Sequence, residues 1–200
     1  PTYMKLAHLS LADRAREMAK PEIKAAIMSE TDVLVDQPGS MANMYQLFQT
    51  AAMFLYPLAD PVDYEPDPSE MLGSRAAATG QDVLDLLYDY LLEQDGAAMC
   101  ALMGGPNVHD SQEVLRQMLI HPETVTGLSD AGAHVTLICD ATMPTTQLTF
   151  WARDRHKGER LPLEFLVAKQ TARNADLYGL KDRGRLAVGL RADINVIDFD

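Results

Sequence analysis

Apolar residues recur at helical spacing over residues 81–94. Val83, Leu84, Leu86, Leu87, Tyr90 and Leu91 lie on one face, and Gly96 follows as a stop. A second helix starts from Ser111, carries Val114, Leu115, Met118 and Leu119 on one side, and ends before Pro122. A third opens at Pro162, carries Phe165, Leu166 and Ala168, and runs to about Gly179. Near the start, Ser10 and Asp13 form a reciprocal cap, and Pro21 suits the first turn of a helix over 21–29. Two apolar runs lack helical period. Ala97–Met103 ends in Gly104-Gly105-Pro106, and Thr124–Leu128 closes on Ser129-Asp130-Ala131-Gly132. Both read as buried strands, and the strand–helix–strand order predicts parallel pairing through a crossover. Val33–Val35 is a candidate short strand, and residues 41–56 read as mixed helix and loop. Pro61, Pro66 and Pro68 exclude helix and central strand from residues 59–70, leaving an ordered, acidic loop. Beyond Gly184, Arg185–Val188 and Ala192–Phe199 have the composition of two short strands.

Composition narrows the partners. The formal charge of −12 opposes a phosphate backbone, and the densest basic group, Arg153, Arg155, Lys157 and Arg160, is interrupted by Asp154 and Glu159. We therefore expect no nucleic-acid partner. No apolar run approaches the roughly 20 residues that span a bilayer, so no membrane partner is expected either. Cys100 and Cys139 sit in apolar stretches. They read as reduced, buried thiols, and the expected compartment is the cytoplasm. The chain of 200 residues starts at Pro1 and finishes in a strand-like stretch. Both ends are expected to be cuts in a longer protein.

The sharpest chemical feature is Gly127-Leu128-Ser129-Asp130-Ala131-Gly132-Ala133-His134. It places a carboxylate where a buried strand ends, in a turn of small residues. Parallel α/β folds build active sites at such strand ends, although an Asp there also serves as a plain turn former. His134 is either a substrate or support group for Asp130 or a satisfied loop histidine. His8, His109, His121 and His156 form no H-x-H or H-x-x-x-H pair, so this chain is expected to hold no metal site of its own. His121, before Pro122, reads as a helix C-terminal residue. Ser129 lacks the context of a nucleophile elbow, and the acids at 60–67 cannot form an EF-hand loop among prolines.

The blocks HPETVTGLSDAGAHV (121–135), CDATMPTTQLTFWARDR (139–155) and LYGLKDRGRLAVGLRADINVIDFD (177–200) resemble the N-acyl-D-amino-acid deacylase (D-aminoacylase) branch of the amidohydrolase superfamily. Residues 60–98 add a further match. The Ser-Asp-x-Gly-x-His stretch is the diagnostic part, and the G-x-x-A-D-x-x-V-x-D ending is common across the superfamily.

The resemblance implies an α/β fold, the C-terminal part of a (β/α)8 TIM-barrel metal-dependent hydrolase with a lid insertion and the start of a small β-sandwich domain. Residues 1–183 would belong to the barrel, about 41–80 to the lid and 184–200 to the β-domain. Ala97–Met103 and Thr124–Ser129 would be the seventh and eighth barrel strands. It implies hydrolysis of an amide bond in a small-molecule substrate. Asp130 would be the catalytic aspartate that takes a proton from a metal-bound water and passes it to the leaving amine. Zinc or another divalent metal would serve the full-length enzyme, with ligands on residues preceding Pro1. Members of the branch hold the substrate carboxylate with an arginine after a His-Pro pair. Here Pro144 is followed by Thr145-Thr146, so that clamp is absent from its place and Arg153 is the candidate to supply it. His134 is the other substrate-binding candidate. The competing readings are an inactive homologue or non-catalytic module, and another amidohydrolase chemistry such as cyclic-amide hydrolysis or deamination. An oligomer is compatible with all of them.

Overall fold

A computed structural model describes residues 1–31, 36, 49–103, 111–127, 129 and 140–199. The chain divides into two compact units, Pro1–Asp110 and Ser111–Asp200.

The first unit opens with helices α1 (Thr2–Leu6), α2 (Leu11–Met18) and α3 (Pro21–Ser29). The expected cap forms at α2. Ser10 Oγ accepts from the Asp13 N–H at 3.2 Å, and its hydroxyl donates to Asp13 Oδ2 at 2.6 Å. Glu30 then ties α3 back to α1, accepting from Thr2 N–H and Oγ1–H at 2.7 Å each. Strand β1 (Leu55–Pro57) precedes α4 (Leu72–Thr79), α5 (Val83–Leu91) and strand β2 (Cys100–Leu102). Asp82 caps α5 by accepting from Leu84 N–H at 2.9 Å and Asp85 N–H at 3.2 Å. The helix is shorter than the apolar pattern predicts, because Gln94 and Asp95 turn left-handed ahead of Gly96. Its two tyrosines are its most buried residues. Tyr88 donates to Met18 O at 2.9 Å and Tyr90 to Met99 O at 3.0 Å. Lys24 of α3 grips the same helix through Asp89 (2.7 Å) and Asp85 (2.9 Å), and donating hydrogen bonds to these two carboxylates pushes its ammonium above the ordinary lysine range.

The strand expected over Ala97–Met103 is corrected in length and partner. Only Cys100–Leu102 is extended, and it pairs antiparallel with β1, Tyr56 opposite Ala101. An apolar run specifies a strand but neither its direction nor its neighbour, and that neighbour lies in a segment read as helix and loop. Leu102 and Met99 are exposed at 55% and 61% rather than buried. The Pro- and Asp-rich loop is ordered, but its end, Pro68–Glu70, winds into a 3-10 turn that the prolines were expected to exclude, Pro68 being tolerated in the first turn. Asp63 accepts from Glu65 N–H at 2.8 Å, and Asp67 takes Ser69 N–H and Oγ–H at 2.9 and 2.6 Å. It is not wholly solvated, since Glu65 is buried. The candidate strand Val33–Val35 lies outside the described residues.

The second unit holds α6 (Glu113–Ile120), α7 (Met143–Thr149), α8 (Leu163–Gln170) and α9 (Ala172–Leu177). Ser111 Oγ accepts from Glu113 N–H at 3.1 Å at the head of α6, and His121 closes it as the C-cap. α7 continues into a π-helical turn, Phe150–Asp154. The single helix predicted from Pro162 to Gly179 is broken at Thr171 (φ −120°, ψ −82°), whose hydroxyl bonds back to Val167 O at 2.7 Å. Its end is where expected, with Leu180 N–H returning to Ala175 O at 2.8 Å around Gly179. The core contains Leu148, Phe150, Trp151, Leu161, Leu166 and Ala175. Arg155 is also buried, its guanidinium carbon 4.9 Å from the Trp151 ring centre and its Nη1 2.8 Å from Glu159 O.

Two further strand expectations differ. Thr124–Gly127 and the stretch 185–199 form no strand among the described residues. A strand, unlike a helix, takes its hydrogen bonds from a partner, and no described segment pairs with either. Val188 and Val196 are almost wholly exposed. No described helix is long and apolar enough to cross a membrane.

Candidate functional site

Residues 124–127, which leave α6 through the His121-Pro122 turn, precede in sequence the site expected at Asp130. Asp130, His134, His109 and Cys139 lie outside the described residues. What is visible is how the preceding segment is held. Thr124 Oγ1 donates to Met118 O at 2.6 Å, closing the end of α6. From α8, Lys169 Nζ donates to Thr124 O at 2.5 Å and to Thr124 Oγ1 at 2.7 Å, with His121 O at 3.5 Å. Thr126 Oγ1 donates to Lys169 O and accepts from Asn174 Nδ2, each at 3.3 Å. Lys169 is fully buried. Burial pushes its ammonium below the ordinary lysine range, and the charge of Arg173 adds to the effect.

Ser129, the last described residue before Asp130, is half-buried and lines a cavity of about 620 Å³ with Leu115, Met118, Val125, Met143 and Trp151. Its size is that of a small-molecule pocket. On one wall Gln170 Nε2 donates to Gln147 Oε1 at 2.7 Å and to Pro144 O at 2.8 Å, which fixes both amides. A second cavity, of about 570 Å³, lies between α8, α9 and residues 183–197. Its arginines are committed to ion pairs, Arg185 to Asp176 (2.6 Å), Arg183 to Asp182 (2.9 Å) and Arg191 to Asp193 (2.8 Å).

Arg153 is placed on the π-helical turn. Its Nε and Nη2 engage Asp154 at 2.7 and 3.1 Å, and its Nη1 donates to Phe199 O at 2.7 Å. Among the described residues, no three His, Cys, Asp or Glu side chains converge as metal ligands. The described residues therefore do not fit the divalent metal that the resemblance implies. Cys100 is a free thiol whose pKa burial pushes up, which disfavours a thiolate. Lys169, Thr126 and Asn174 carry no sequence signal for their roles, because the partners lie more than forty residues apart along the chain.

Residues 72–200 match the family described as the Amidohydrolase family. The chain belongs to that family. Among curated relatives, it is 57% identical over 44 residues to N-acyl-D-glutamate deacylase of Alcaligenes xylosoxydans xylosoxydans, covering 22% of this chain and 9% of that protein. It is 33% identical over 145 residues to imidazolonepropionase of Paracoccus denitrificans (strain Pd 1222), covering 70% of this chain and 36% of that protein. The chain thus spans about a tenth and about a third of the lengths of these relatives. No solved structure matches it.

Proposed function

We propose that the chain is the C-terminal part of a cytoplasmic, metal-dependent hydrolase of non-peptide C–N bonds in small molecules, and that its reaction is N-acyl-amino-acid deacylation. The family match over residues 72–200, which includes the Ser129-Asp130-x-Gly132-x-His134 stretch, carries the reading. The deacylase among the relatives supports the substrate class. Residues 1–183 would belong to the barrel, with about 41–80 as a lid, and 184–200 would begin the β-domain. Asp130 would accept a proton from the attacking water and deliver it to the leaving nitrogen, a double use that suits a carboxylate at a strand end. The metal's ligands would come from outside this chain. A second reading, hydrolysis of a cyclic amide, is favoured by the imidazolonepropionase match, the longer of the two.

Turnover by the intact enzyme on N-acyl amino acids, set beside imidazolones and other cyclic amides, separates the two readings. Measurable kcat only on cyclic amides would overturn deacylation. His134 and Arg153 would hold the substrate. Arg153 must exchange Asp154 or Phe199 O for the substrate carboxylate. Loss of a charged hydrogen bond then predicts that Arg153→Met raises KM by about tenfold or more with kcat nearly unchanged. An unchanged KM would remove Arg153 from binding.

A further inference from the structure

Lys169 is a fully buried lysine on α8 whose hydrogen bonds, among the described residues, all go to neutral oxygens of one short turn. Taking an ammonium out of water for uncharged partners is costly, and an apolar side chain of the same length would fill the space without that cost. The arrangement makes sense if the position of the turn matters more than its stability. The three acceptors are the carbonyls of His121 and Thr124 and the Thr124 hydroxyl, so one cation fixes both sides of the His121–Thr124 turn. Two residues on, Thr126 is held by the backbone carbonyl of Lys169 itself and by Asn174 on α9. Residues 121–126 are therefore laced to α8 and α9 before the chain reaches Ser129 and Asp130.

We propose that Lys169 is a positioning residue, holding the 121–126 segment so that Asp130 stands in register with its substrate. The proposal rests on Asp130 being the proton-transfer group. It gives α8 a part in catalysis without contact with the substrate.

The experiment compares Lys169→Met and Thr124→Val with the intact wild-type enzyme, assayed well below their melting temperatures. Methionine keeps the length and removes the donors; valine keeps the shape of threonine and removes the hydroxyl. Because an ångström of misplacement is enough to slow chemistry strongly, Lys169→Met should lower kcat by about ten- to a hundredfold. KM should stay within about twofold, since substrate contacts are untouched. Backbone amide exchange over residues 123–127 should quicken by about tenfold while exchange in α6 is unchanged. Thr124→Val should move kcat and exchange in the same direction by less, and it carries the test alone if Lys169→Met does not fold. Normal kcat in Lys169→Met, or in Thr124→Val should the methionine variant not fold, overturns the positioning role, as does a kcat loss without local change in exchange. Asp130→Asn, run in parallel, separates the two ideas. If it retains turnover, the assignment of Asp130 has failed. If it is inactive while the Lys169 and Thr124 variants are normal, only the positioning role has failed.

Discussion

Asp130→Asn in the intact enzyme is expected to lower kcat by about 10²-fold or more, because asparagine keeps the shape of aspartate but cannot take a proton near neutral pH. Metal content and melting temperature should stay near wild type. The substitution is informative because asparagine forms turns and caps nearly as well as aspartate. If Asp130 were only a turn former after Ser129, the change would be mild. The measurement is kcat on N-acyl amino acids, beside metal analysis and a thermal melt. Near-wild-type kcat would take Asp130 out of the mechanism. Loss of metal and stability together would make it a ligand or a structural residue instead.

The second large effect is on stability. Gly184 follows Lys181-Asp182-Arg183 at φ +87°, a conformation that strains any residue with a side chain. A Cβ placed there would stand 2.6 Å from Ala175 Cβ and 3.1 Å from Thr171 O, so α9 would have to move. Strain and overlap together put the cost of Gly184→Ala on the order of 3 kcal/mol, and the melting temperature should fall by roughly 10 °C. Gly189 is the internal control. It has the same φ of +87° with nothing within 4 Å of its virtual Cβ, so Gly189→Ala should show strain alone, about 1 kcal/mol. Equal melting temperatures for the two variants would show that the contact with Ala175 does not matter.

Much of the helical layout was legible because helix ends are local. Ser10, Pro21, Ser111, His121 and Gly179 each act where their chemistry predicts. Strands were not legible in the same way. Cys100–Leu102 is recognisable as apolar and extended, but nothing near it in sequence announces Leu55–Pro57 as its partner or antiparallel as its direction. Thr171 broke a helix that the apolar period alone would continue, through a hydroxyl that competes for its own backbone. Of the site, Asp130, His134 and Arg153 came from local spacing and resemblance. Asp130 and His134 lie outside the described residues, and Arg153 is seen occupied by Asp154 and Phe199. The buried lysine was invisible for the opposite reason. Lysine is ordinarily a surface residue, and only the fold shows Lys169 turned inward onto a turn more than forty residues away.

The stretch at 185–199, which joins no sheet among the described residues, has a colloidal consequence. Ile194-Asn195-Val196-Ile197 is short, rich in β-branched residues and exposed, which is the make-up of a segment that recruits copies of itself into fibrillar stacks. Asp193 stands on one side of it and Asp198 on the other. In any such stack these carboxylates would repeat at the spacing of adjacent strands, like charge on like charge, so the two acids act as gatekeepers that keep an adhesive stretch dispersed.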